Sequence, residues 1–561
     1  MSAAFVPGAV PLGDGRCRFT VWAPAFDTAA VRVGGRLAPL ARDARGVFTA
    51  EVDGVRAGAL YKIRLGDTDD RPDPASRHQP EGPHGPSKVV DPAHPWTDAA
   101  WTGVPLERLV FYEIHVGTFT PEGTFDAAIG RLDALAELGV TAVEVMPVSQ
   151  FPGARGWGYD GTFPFAVQDS YGGPAAMKRF VDACHARGLA VALDVVYNHF
   201  GPDGNYLWGT GPAFTDRYHT PWGAAINVDG PGSDETREFL IQSALMWARE
   251  FHVDALRLDA VDTIIDVSAR PFLAELAERV KGAGRRVHVI AESDRNDPKL
   301  VRDYGLDAIW NDDFHHALRT LLTDERDGYY ADFGAPEQLA RAFAEGFVYQ
   351  GERSTFRERR QGVSSKDLEP SRFVVFAQNH DQVGNRMSGD RLGAKISVDR
   401  LKLAAAAVIL SPNLPLLFMG EEYGETAPFP YFVSHTDPGL IEAVRQGRRA
   451  DHVRFHWPGE PPDPQAEATF RSAVLHPERG NPELRAWYKA LLALRREPPF
   501  STLRRESVSA AARGRTVVVE RTTPEARAVL HLHFGDPVEV PLPPGRWTLA
   551  LDSPLAKIYR A

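Results

Sequence analysis

The stretch VFYEIHVGTFTPEGTFDAAIGRLDALAELGVTAVEVMPV (110–148) decides the fold class. Its two ends, 110–119 and 141–148, are apolar and of strand length, whereas residues 125–139 between them repeat apolar side chains at helical spacing. A strand, a crossover helix and a second strand form the repeating unit of a parallel sheet that is covered on both faces. The stretch therefore predicts an α/β fold.

The same alternation continues along the chain. Six more strand candidates follow, at 190–197, 255–261, 286–293, 307–313, 373–380 and 414–420. The accompanying helix candidates are at 175–188, 233–252, 272–280, 312–323, 398–410 and 482–497. The eight strands and their helices together span about 390 residues, within the ~200 to more than 400 residues usual for this class of barrel. We therefore predict a (β/α)8 TIM barrel rather than an open doubly wound sheet, because no glycine-rich phosphate turn follows the first strand.

Short β segments flank the predicted barrel on both sides. They are partly alternating and separated by Gly, Asp or Pro, which is typical of small β domains. A Pro- and Gly-rich stretch at 71–95 reads as a linker on the surface of the barrel. The predicted organisation is an N-terminal β-sandwich over 1–95, a barrel domain over 96–498 with insertions at 149–173 and 325–370, and a C-terminal β domain over 499–561.

The composition excludes several classes of protein. The 561 residues carry 63 Lys and Arg against 74 Asp and Glu, a net charge of −11, which argues against a dedicated nucleic-acid binder. Two cysteines, Cys17 and Cys184, are too few for a disulfide scaffold and favour a reducing compartment. No signal peptide is recognised, and the longest apolar run, 403–410, is too short to span a bilayer. We therefore expect a cytoplasmic protein without nucleic-acid or membrane partners.

Acidic and histidine side chains stand at the ends of five consecutive predicted strands. In a (β/α)8 barrel the carboxyl ends of the strands form one rim, which carries the catalytic groups. A single Asp there is commonly a helix N-cap, but five polar strand ends are hard to explain as caps, because burying carboxylates costs stability unless they are paired or used. The rim residues are Asp194, Tyr197, Asn198, His199, Arg257, Asp259, Asp262, Glu292, Asp294, Asn311, Asp312, Asp313, His315, His316, Asn379, His380 and Asp381.

Two chemistries fit such a rim. Asp and His clusters bind metal ions in some barrel hydrolases, but the first strand reads Glu-Ile-His at 113–115 and lacks the His-x-His usual in metal barrels of the amidohydrolase kind. A pair of carboxylates can instead cleave a glycosidic bond, one as nucleophile and the other as general acid. The aromatic content of 10% and the string WGYD at 157–160 favour a sugar substrate. No metal or cofactor is expected.

Four motifs carry a resemblance to a known family. They are DVVYNH (194–199), ALRLDAVD (255–262), VIAES (289–293) and FAQNHD (376–381). In their order and strand positions the chain resembles the α-amylase family of glycoside hydrolases over the whole barrel, and FTVWAP (19–24) resembles the N-terminal domain of its glycogen-processing members. The resemblance implies a retaining glycosidase that acts on α-glucans.

Longer strings narrow the resemblance to one branch of that family, the maltooligosyltrehalose trehalohydrolases. For that branch the resemblance implies cleavage of the α-1,4 bond next to the terminal trehalose of maltooligosyltrehalose, and a pathway partner in the synthase that makes this substrate. A glycogen branching enzyme is the alternative. An inactive glucan-binding barrel is a third interpretation, but the presence of Asp259, Glu292 and Asp381 argues against it. The strings are MPVSQFPGARGWGYDG (146–161), FTDRYHTPWG (214–223), NDDFHHAL (311–318), NHDQVGNR (379–386) and FMGEEYGETAPF (418–429).

The resemblance assigns roles at the reaction centre. Asp259 matches the nucleophile that forms a covalent glycosyl-enzyme, and Glu292 matches the general acid/base, which needs a raised pKa. Asp381 matches the third carboxylate, which holds sugar hydroxyls and stabilises the oxocarbenium-like state. Arg257 lies two residues before Asp259 on the same side of the strand, where its charge can keep that carboxylate ionised.

Further residues are expected around the reacting sugar. The resemblance implies that His199 and His380 hydrogen-bond its hydroxyls, that Tyr159 stacks under its ring and that Asp194 supports the tyrosine. Trp157, close to Tyr159 in the chain, is a second stacking candidate.

Several positions keep two interpretations. Asn198 is either a loop residue or a calcium ligand, and Trp222 either a stacking face or a core residue. Many amylases place Lys-His three and four residues after the nucleophile, whereas here Asp262 and Thr263 stand there, which agrees with a trehalose leaving group. The stretch Asp313, Phe314, His315 and His316 either opens a helix, with Asp312 or Asp313 as its cap, or lines the mouth and binds substrate. The residues expected to reach the substrate beside the third carboxylate are Gln378, Asn379 and Gln382.

Overall fold

The structure, a computed structural model, describes residues 5–454 and 460–561, and for residues 451–454 the backbone alone. Residues 1–4 of the expected N-terminal domain and 455–459 of the expected barrel domain lie outside the described residues. Within the described part of the chain, no helix is both long and apolar enough to cross a membrane.

An antiparallel sheet of seven strands forms the N-terminal part of the fold. The strands are β1 (Gly8–Gly13), β2 (Arg16–Trp22), β3 (Ala29–Val33), β4 (Arg36–Arg42), β5 (Val47–Asp53), β6 (Leu60–Leu65) and β7 (Ser87–Lys88). Strand β4 pairs with β3 through residues 36–40 and with β5 through residues 41–42, so that the sheet turns back on itself there. Phe19 on β2 contacts Tyr61 on β6 with ring centroids 5.0 Å apart. The two halves of the sheet therefore enclose a core, as in the expected sandwich.

The middle of the chain forms a closed parallel barrel. Its strands and the hairpins inserted between them are β8 (Phe111–Ile114), β9 (Ala142–Val145), β10 (Ser149–Gln150), β11 (Phe163–Val167), β12 (Ala190–Val195), β13 (Phe214–Thr220), β14 (Gly223–Ile226), β15 (Ala255–Leu258), β16 (His288–Ala291), β17 (Ala308–Trp310), β18 (Arg353–Ser354), β19 (Arg359–Arg360), β20 (Phe373–Phe376) and β21 (Leu414–Phe418). Strands β8, β9, β12, β15, β16, β17, β20 and β21 close the barrel. The predicted (β/α)8 fold is confirmed.

Helices lie between and after the barrel strands. They are α1 (Val116–Phe119), α2 (Phe125–Ile129), α3 (Leu132–Leu138), α4 (Gly173–His185), α5 (Ser233–Glu250), α6 (Phe272–Lys281), α7 (Lys299–Arg302), α8 (Asp312–Thr323), α9 (Pro336–Glu345), α10 (His380–Gly384), α11 (Val398–Ile409), α12 (Pro438–Arg454), α13 (Glu467–Arg471) and α14 (Pro482–Arg495). The helix predicted over 125–139 is divided into α2 and α3 at Gly130, because glycine is a poor helix former and the Gly130 N–H bonds back to the end of α2.

Alternate residues of each barrel strand point inward, and their character changes along the barrel. The end where the strands begin is packed with apolar residues, among them Ala142, Ala192 and Ala255. Two residues further along the same strands, the inward positions are Glu144, Asp194 and Arg257. The polar groups therefore concentrate at the carboxyl ends of the strands.

The two expected insertions contain regular structure. Residues 149–173 include the hairpin β10–β11, and residues 325–370 include a 3-10 helix at Gly328–Asp332, α9 and the hairpin β18–β19. The hairpin β13–β14 and the helix α12 were not predicted. Several barrel strands, such as β16 and β20, end before the polar residues that the sequence prediction included in them, because the chain leaves the sheet there.

An antiparallel sheet of five strands forms the C-terminal part of the fold. The strands are β22 (Val508–Arg513), β23 (Thr516–Thr522), β24 (Arg527–His533), β25 (Thr548–Asp552) and β26 (Ala556–Arg560), paired in the order β22-β23-β24-β26-β25. This sheet packs against α9 and α11 of the barrel. The domain boundaries at residues 95 and 498 stay predictions.

Candidate active site

The carboxyl ends of the barrel strands surround a cavity of about 390 Å³. Asp259 follows β15, Glu292 follows β16 and Asp381 lies in the first turn of α10 after β20. The structure thus brings three carboxylates from three strands to one cavity. The residues that line it are Trp157, Tyr159, Asp160, His199, Trp222, Asp259, Ala260, Glu292, Asp381, Asn385, Tyr431, Val444, Gly447 and Arg448.

Arg257 is the cation that these carboxylates share. Its side chain is 0% exposed, and its Nη1 donates to Asp194 at 2.8 Å and to Asp259 at 2.9 Å. Its Nη2 lies 3.3 Å from Glu292 Oε2 and 3.9 Å from Asp381 Oδ2. Burial alone would lower the pKa of Arg257, but the surrounding negative charges hold it well above its ordinary value. The guanidinium therefore stays charged and fixes the carboxylates around it.

Glu292 is arranged to hold a proton. Burial, together with the negative charges of Asp259 and Asp381, raises the pKa of Glu292 well above its ordinary value, against the opposing charge of Arg257. A neutral carboxyl that faces a guanidinium-bound carboxylate in one cavity can supply a general acid and a nucleophile.

Asp381 is held ionised by a buried histidine. His380 Nε2 lies 3.3 Å from Asp381 Oδ2, and His380 Nδ1 donates to Glu113 Oε1 at 2.5 Å. Burial opposes the charged form of His380, but the charges of Asp381 and Glu113 raise its pKa well above the ordinary value. Burial likewise opposes the ionised form of Asp381, yet the charges of His380 and Arg257 lower its pKa to about 2. An imidazolium thus stands between two carboxylates.

Tyr159 connects this histidine to Asp194. The Tyr159 hydroxyl donates to Asp194 Oδ2 at 2.6 Å and lies 2.6 Å from His380 Nε2, and the tyrosine ring stacks on the histidine ring at 5.1 Å. Burial and the charge of Asp259 raise the pKa of Asp194 to about 6, against the opposing charge of Arg257. These contacts fix the orientation of the ring that lines the cavity.

Aromatic rings form two further walls. Trp222, for which the sequence left stacking and core packing open, is 51% exposed and stacks on His199 at 4.4 Å and 7°. His199 Nε2 in turn donates to the backbone carbonyl of Tyr159 at 3.0 Å. Trp157 is buried, stacks on Phe429 at 5.3 Å and 14°, and donates its Nε1 to a backbone carbonyl at 3.1 Å. Both indoles are therefore held in place by the protein.

Asp313 is not among the residues that line the cavity. Its Oδ2 accepts hydrogen bonds from Asn296 Nδ2 at 2.7 Å, Val348 N at 2.9 Å and Tyr349 N at 2.8 Å. Burial raises the pKa of Asp313 to about 6. Its contacts tie the insertion before β20 to the start of α8.

The three residues after Asp313 pack against the same insertion. Phe314 contacts Phe343 of α9 at 5.3 Å, and the ring of His316 lies 4.5 Å from that of Tyr329. Burial lowers the pKa of His316 to about 3 and that of His315 well below its ordinary value. Both histidines therefore act as neutral rings in this packing.

The glutamine and asparagine residues around Asp381 hold its helix. Gln378 accepts a backbone N–H from the loop after α10 at 2.6 Å. Asn379 caps α10 by accepting the Gln382 N–H at 2.8 Å, and Gln382 Nε2 donates to Asp312 Oδ1 at 3.1 Å. These side chains position α10, which carries the third carboxylate.

Asp262 lies in a neighbouring cavity of about 250 Å³, where Arg295 Nε stands 3.6 Å from its Oδ2. Asn198 is buried, and neither polar atom of its side chain has a hydrogen-bond partner in the described chain. Among the residues that the structure describes, no group of three or more His, Cys, Asp or Glu side chains is arranged to hold a metal ion.

Sequence reasoning missed several residues at the cavity. Asn385 Nδ2 donates to Asp381 Oδ1 at 3.1 Å, and Arg448 of α12 lies 5.6 Å from the ring centroid of Tyr431. Glu113, the partner of His380, could have been found from the sequence, since it is a carboxyl in an otherwise apolar barrel strand. Arg448 could not have been found from the sequence, because only the tertiary fold brings α12 to the cavity.

Comparison with known proteins relates this chain to known families. Residues 75–211 match the family described as Alpha amylase, catalytic domain. The Malto-oligosyltrehalose trehalohydrolase of Saccharolobus solfataricus is 47% identical over 496 residues, which cover 87% of each chain. The crystal structure of a candidate alpha amylase from Salmonella typhimurium is 41% identical, covers 99% of both chains and has a TM-score of 0.93.

The alternative of a branching enzyme finds a more distant relative. The 1,4-alpha-glucan branching enzyme of Bacillus caldolyticus is 29% identical, over 73% of this chain and 64% of that protein. The trehalohydrolase match is higher in identity and in extent. The chain therefore belongs to the malto-oligosyltrehalose trehalohydrolase family, a group of glycoside hydrolases within the α-amylase family.

Proposed function

We propose that the protein hydrolyses the α-1,4-glucosidic bond that joins a maltooligosaccharide to a terminal trehalose unit, and so releases trehalose. The observation that carries the proposal is the cavity in which Arg257 contacts both Asp259 and Glu292, in a chain of the trehalohydrolase family. Two carboxyl groups that flank the scissile bond support cleavage by two displacements at the anomeric carbon, with net retention.

In the first displacement Asp259 attacks the anomeric carbon. The bond from this carbon to the leaving oxygen breaks, and Glu292 gives its proton to that oxygen, so that trehalose leaves as a neutral alcohol. Asp259 is then joined to the sugar as an ester, and Glu292 is ionised. The raised pKa of Glu292 supports this role, because the carboxyl keeps its proton to a higher pH than an ordinary glutamate does.

Asp381 and His380 stabilise the sugar while positive charge develops on its ring. An ionised Asp381 attracts the oxocarbenium-like carbon and accepts hydrogen bonds from sugar hydroxyls. His380 carries hydrogen atoms on both ring nitrogens, and Tyr159 offers its ring face to the sugar. The contacts of Tyr159 with Asp194 and His380 support a preorganised site.

The second displacement uses water. Glu292, now ionised, removes a proton from a water molecule, and the water oxygen attacks the anomeric carbon on the face that trehalose left. The ester bond to Asp259 breaks, which restores both carboxyl groups. The maltooligosaccharide is released with the α configuration that the substrate had.

The pathway setting is part of the proposal. Maltooligosyltrehalose and related α-glucans are the ligands, and the synthase that makes maltooligosyltrehalose is the pathway partner. Cys17 and Cys184 are both buried free thiols, which supports a reducing compartment such as the cytoplasm. The net charge of −11 suits neutral sugars, which need no electrostatic capture.

The test compares two substrates. The protein is incubated separately with maltotriosyltrehalose and with amylose, and products are followed by chromatography and by ¹H NMR of the anomeric protons. We expect free trehalose and initially α-configured maltotriose from the first substrate, and little change in the second. Asp259→Asn serves as the inactive control.

Three results would contradict the proposal. New α-1,6 branches in amylose would identify a branching enzyme, and initially β-configured maltotriose would exclude the double displacement. Failure to release trehalose from maltotriosyltrehalose would exclude the substrate.

A further inference from the structure

The residue after the proposed nucleophile has an unusual backbone. Ala260 adopts φ 37° and ψ 50°, which is the left-handed region. A residue with a Cβ atom is disfavoured there, since the Cβ comes too close to the carbonyl oxygen, and such conformations persist where the surroundings impose them. Ala260 also lines the cavity, directly between Asp259 and Val261. The strain therefore lies within the reaction centre.

The left-handed turn joins the ends of two barrel strands. Ala260 N donates to Glu292 Oε2 at 2.5 Å, and the next amide, Val261 N, donates to the backbone carbonyl of Glu292 at 3.0 Å. On the strand itself, Glu292 N donates to the carbonyl of Leu258 at 3.0 Å. The backbone of Glu292 is thus fixed by two hydrogen bonds, and its side chain by a third.

A hydrogen bond and a positive charge meet the same oxygen of the Glu292 side chain. Ala260 N donates to Oε2 at 2.5 Å, and the charged Arg257 Nη2 lies 3.3 Å from the same atom. A protonated carboxyl has one O–H donor, and its other oxygen accepts. Oε2 is the acceptor, because a proton placed on it would oppose both the Ala260 N–H and the guanidinium charge. The carboxyl proton therefore belongs on Oε1.

We propose that Ala260 is a positioning residue for the proposed hydrolysis: its backbone N–H, turned toward Glu292 by the left-handed conformation, fixes Oε2 as the acceptor and leaves Oε1 to carry the transferred proton. The inference rests on the proposed function, in which Glu292 is the general acid. It assigns to the backbone of Ala260 a part of proton transfer that side-chain substitution does not reveal.

The direct test removes the N–H alone. Nonsense suppression with lactic acid at position 260 replaces the amide by an ester and keeps the methyl group. The lost hydrogen bond stabilises the Glu292 carboxylate that forms as the proton leaves, and bonds to charged groups are stronger than bonds to neutral ones. We therefore expect kcat for maltotriosyltrehalose to fall about 10- to 100-fold. The Ala260 N–H also lowers the pKa of Glu292, so its loss raises that pKa further, and the basic limb of the kcat/KM profile should move to higher pH.

Two matched variants serve as controls. Replacing Val261 by 2-hydroxyisovaleric acid removes a backbone hydrogen bond of the same turn that does not reach the carboxyl. Ala260→Gly keeps the N–H and relieves the backbone strain. We expect the basic limb to stay where it is in both proteins. A fluoride substrate separates proton transfer from the other steps, because the fluoride of maltotriosyl fluoride leaves without a proton. The ester at position 260 should slow cleavage of this fluoride much less than cleavage of maltotriosyltrehalose.

A measurement on the unaltered backbone covers the case in which the ester variant does not fold. In ¹⁵N-alanine-labelled protein, the amide signal that disappears in Ala260→Gly belongs to Ala260. We expect its ¹H shift to titrate with the midpoint of the basic limb and to stop titrating in Glu292→Gln.

An Ala260 amide that does not titrate, or an ester variant that folds and keeps the wild-type basic limb, would overturn the inference. Either result could occur in a protein that still releases trehalose, so the proposed function would stand. An absence of trehalose release by the wild type would instead remove the proposed function itself.

Discussion

Glu113 binds His380 twice, although the two residues are 267 positions apart in the chain. Glu113 Oε2 accepts the His380 backbone N–H at 3.0 Å, and Oε1 accepts the ring Nδ1–H at 2.5 Å. The first strand of the barrel thus fixes both the start of α10 and the charge of the histidine beside Asp381.

Glu113→Gln should therefore shift the basic limb of activity. The charge of Glu113 raises the pKa of His380, so its loss lowers that pKa and His380 gives up its proton at a lower pH. The neutral imidazole no longer places a positive charge beside Asp381. We expect the basic limb of kcat/KM to move to lower pH, measured from pH 3 to 9. Glu421→Gln changes another buried glutamate, whose partner is Tyr488, and as the control it should leave the limb in place. An unmoved basic limb in folded Glu113→Gln would contradict this electrostatic account.

Glu292→Gln should discriminate between leaving groups. Loss of a general acid costs about 10²- to 10⁴-fold when the leaving group needs a proton, as trehalose does. Formation of the glycosyl-enzyme from maltotriosyl fluoride should be affected far less, because fluoride leaves without a proton. Pre-steady-state release of fluoride measures this step. Equal losses on both substrates would argue that Glu292 has another role.

Glu144→Gln should stabilise the protein at neutral pH. Glu144 is buried in the barrel, and neither of its carboxyl oxygens has a partner in the described chain. Burial, with the charges of Glu113 and Asp194, raises its pKa well above the ordinary value. Since the folded state holds the proton and the unfolded state releases it, stability falls as pH rises above the unfolded pKa of ~4.3.

Glutamine mimics the protonated carboxyl without titrating. We therefore expect Glu144→Gln to have a higher Tm than the wild type at pH 7 and nearly the same Tm at pH 4, by differential scanning calorimetry. A Tm difference that does not depend on pH would show that ionisation of Glu144 is not the cause.

Trp222→Ala should weaken glucan binding without destabilising the fold. The indole is half exposed and stacks on His199 beside the cavity, so it contributes little to core packing. Loss of one sugar-stacking face should raise KM about tenfold, equivalent to ~1.4 kcal/mol. Trp208→Ala is the matched control, since Trp208 is also exposed and packs on Phe214 of the same hairpin but does not line the cavity. Equal effects of the two substitutions on KM would reject this role for Trp222.

Asp313→Ala should loosen the insertion before β20. The change removes an acceptor of three hydrogen bonds, two of them from the backbone at Val348 and Tyr349. We expect a loss of about 2–4 kcal/mol in the free energy of unfolding, with Asp313→Asn intermediate. Hydrogen exchange should accelerate at residues 346–350. Unchanged exchange in Asp313→Ala would show that other contacts hold this loop.

The sequence predicted the barrel because its strands are short apolar runs separated by helices of regular spacing. The convergence of three carboxylates was also predictable, since Asp259, Glu292 and Asp381 each follow such a run, and parallel strands bring their carboxyl ends to one rim. Local pattern alone is enough for both conclusions.

The remaining parts of the site depend on tertiary contacts. Glu113 pairs with His380 at the start of α10, after the seventh barrel strand, and no local sequence pattern predicts that pairing. Asp313 reads like a rim residue but binds backbone amides of a loop 35 residues later in the chain. Helix α12 reaches the cavity only because of how the chain folds after β21. A sequence pattern predicts which residues stand at the rim, but not which way each side chain is used.

Arg257 has a consequence for how substitutions here are interpreted. Asp194, Asp259, Glu292 and Asp381 all lie within 4 Å of its one guanidinium. Removing one of these carboxylates changes the attraction that the cation exerts on the other three. Free-energy losses from single substitutions will therefore not sum in double variants. The four acids form one thermodynamic unit, and an energy assigned to any single member depends on the state of the rest.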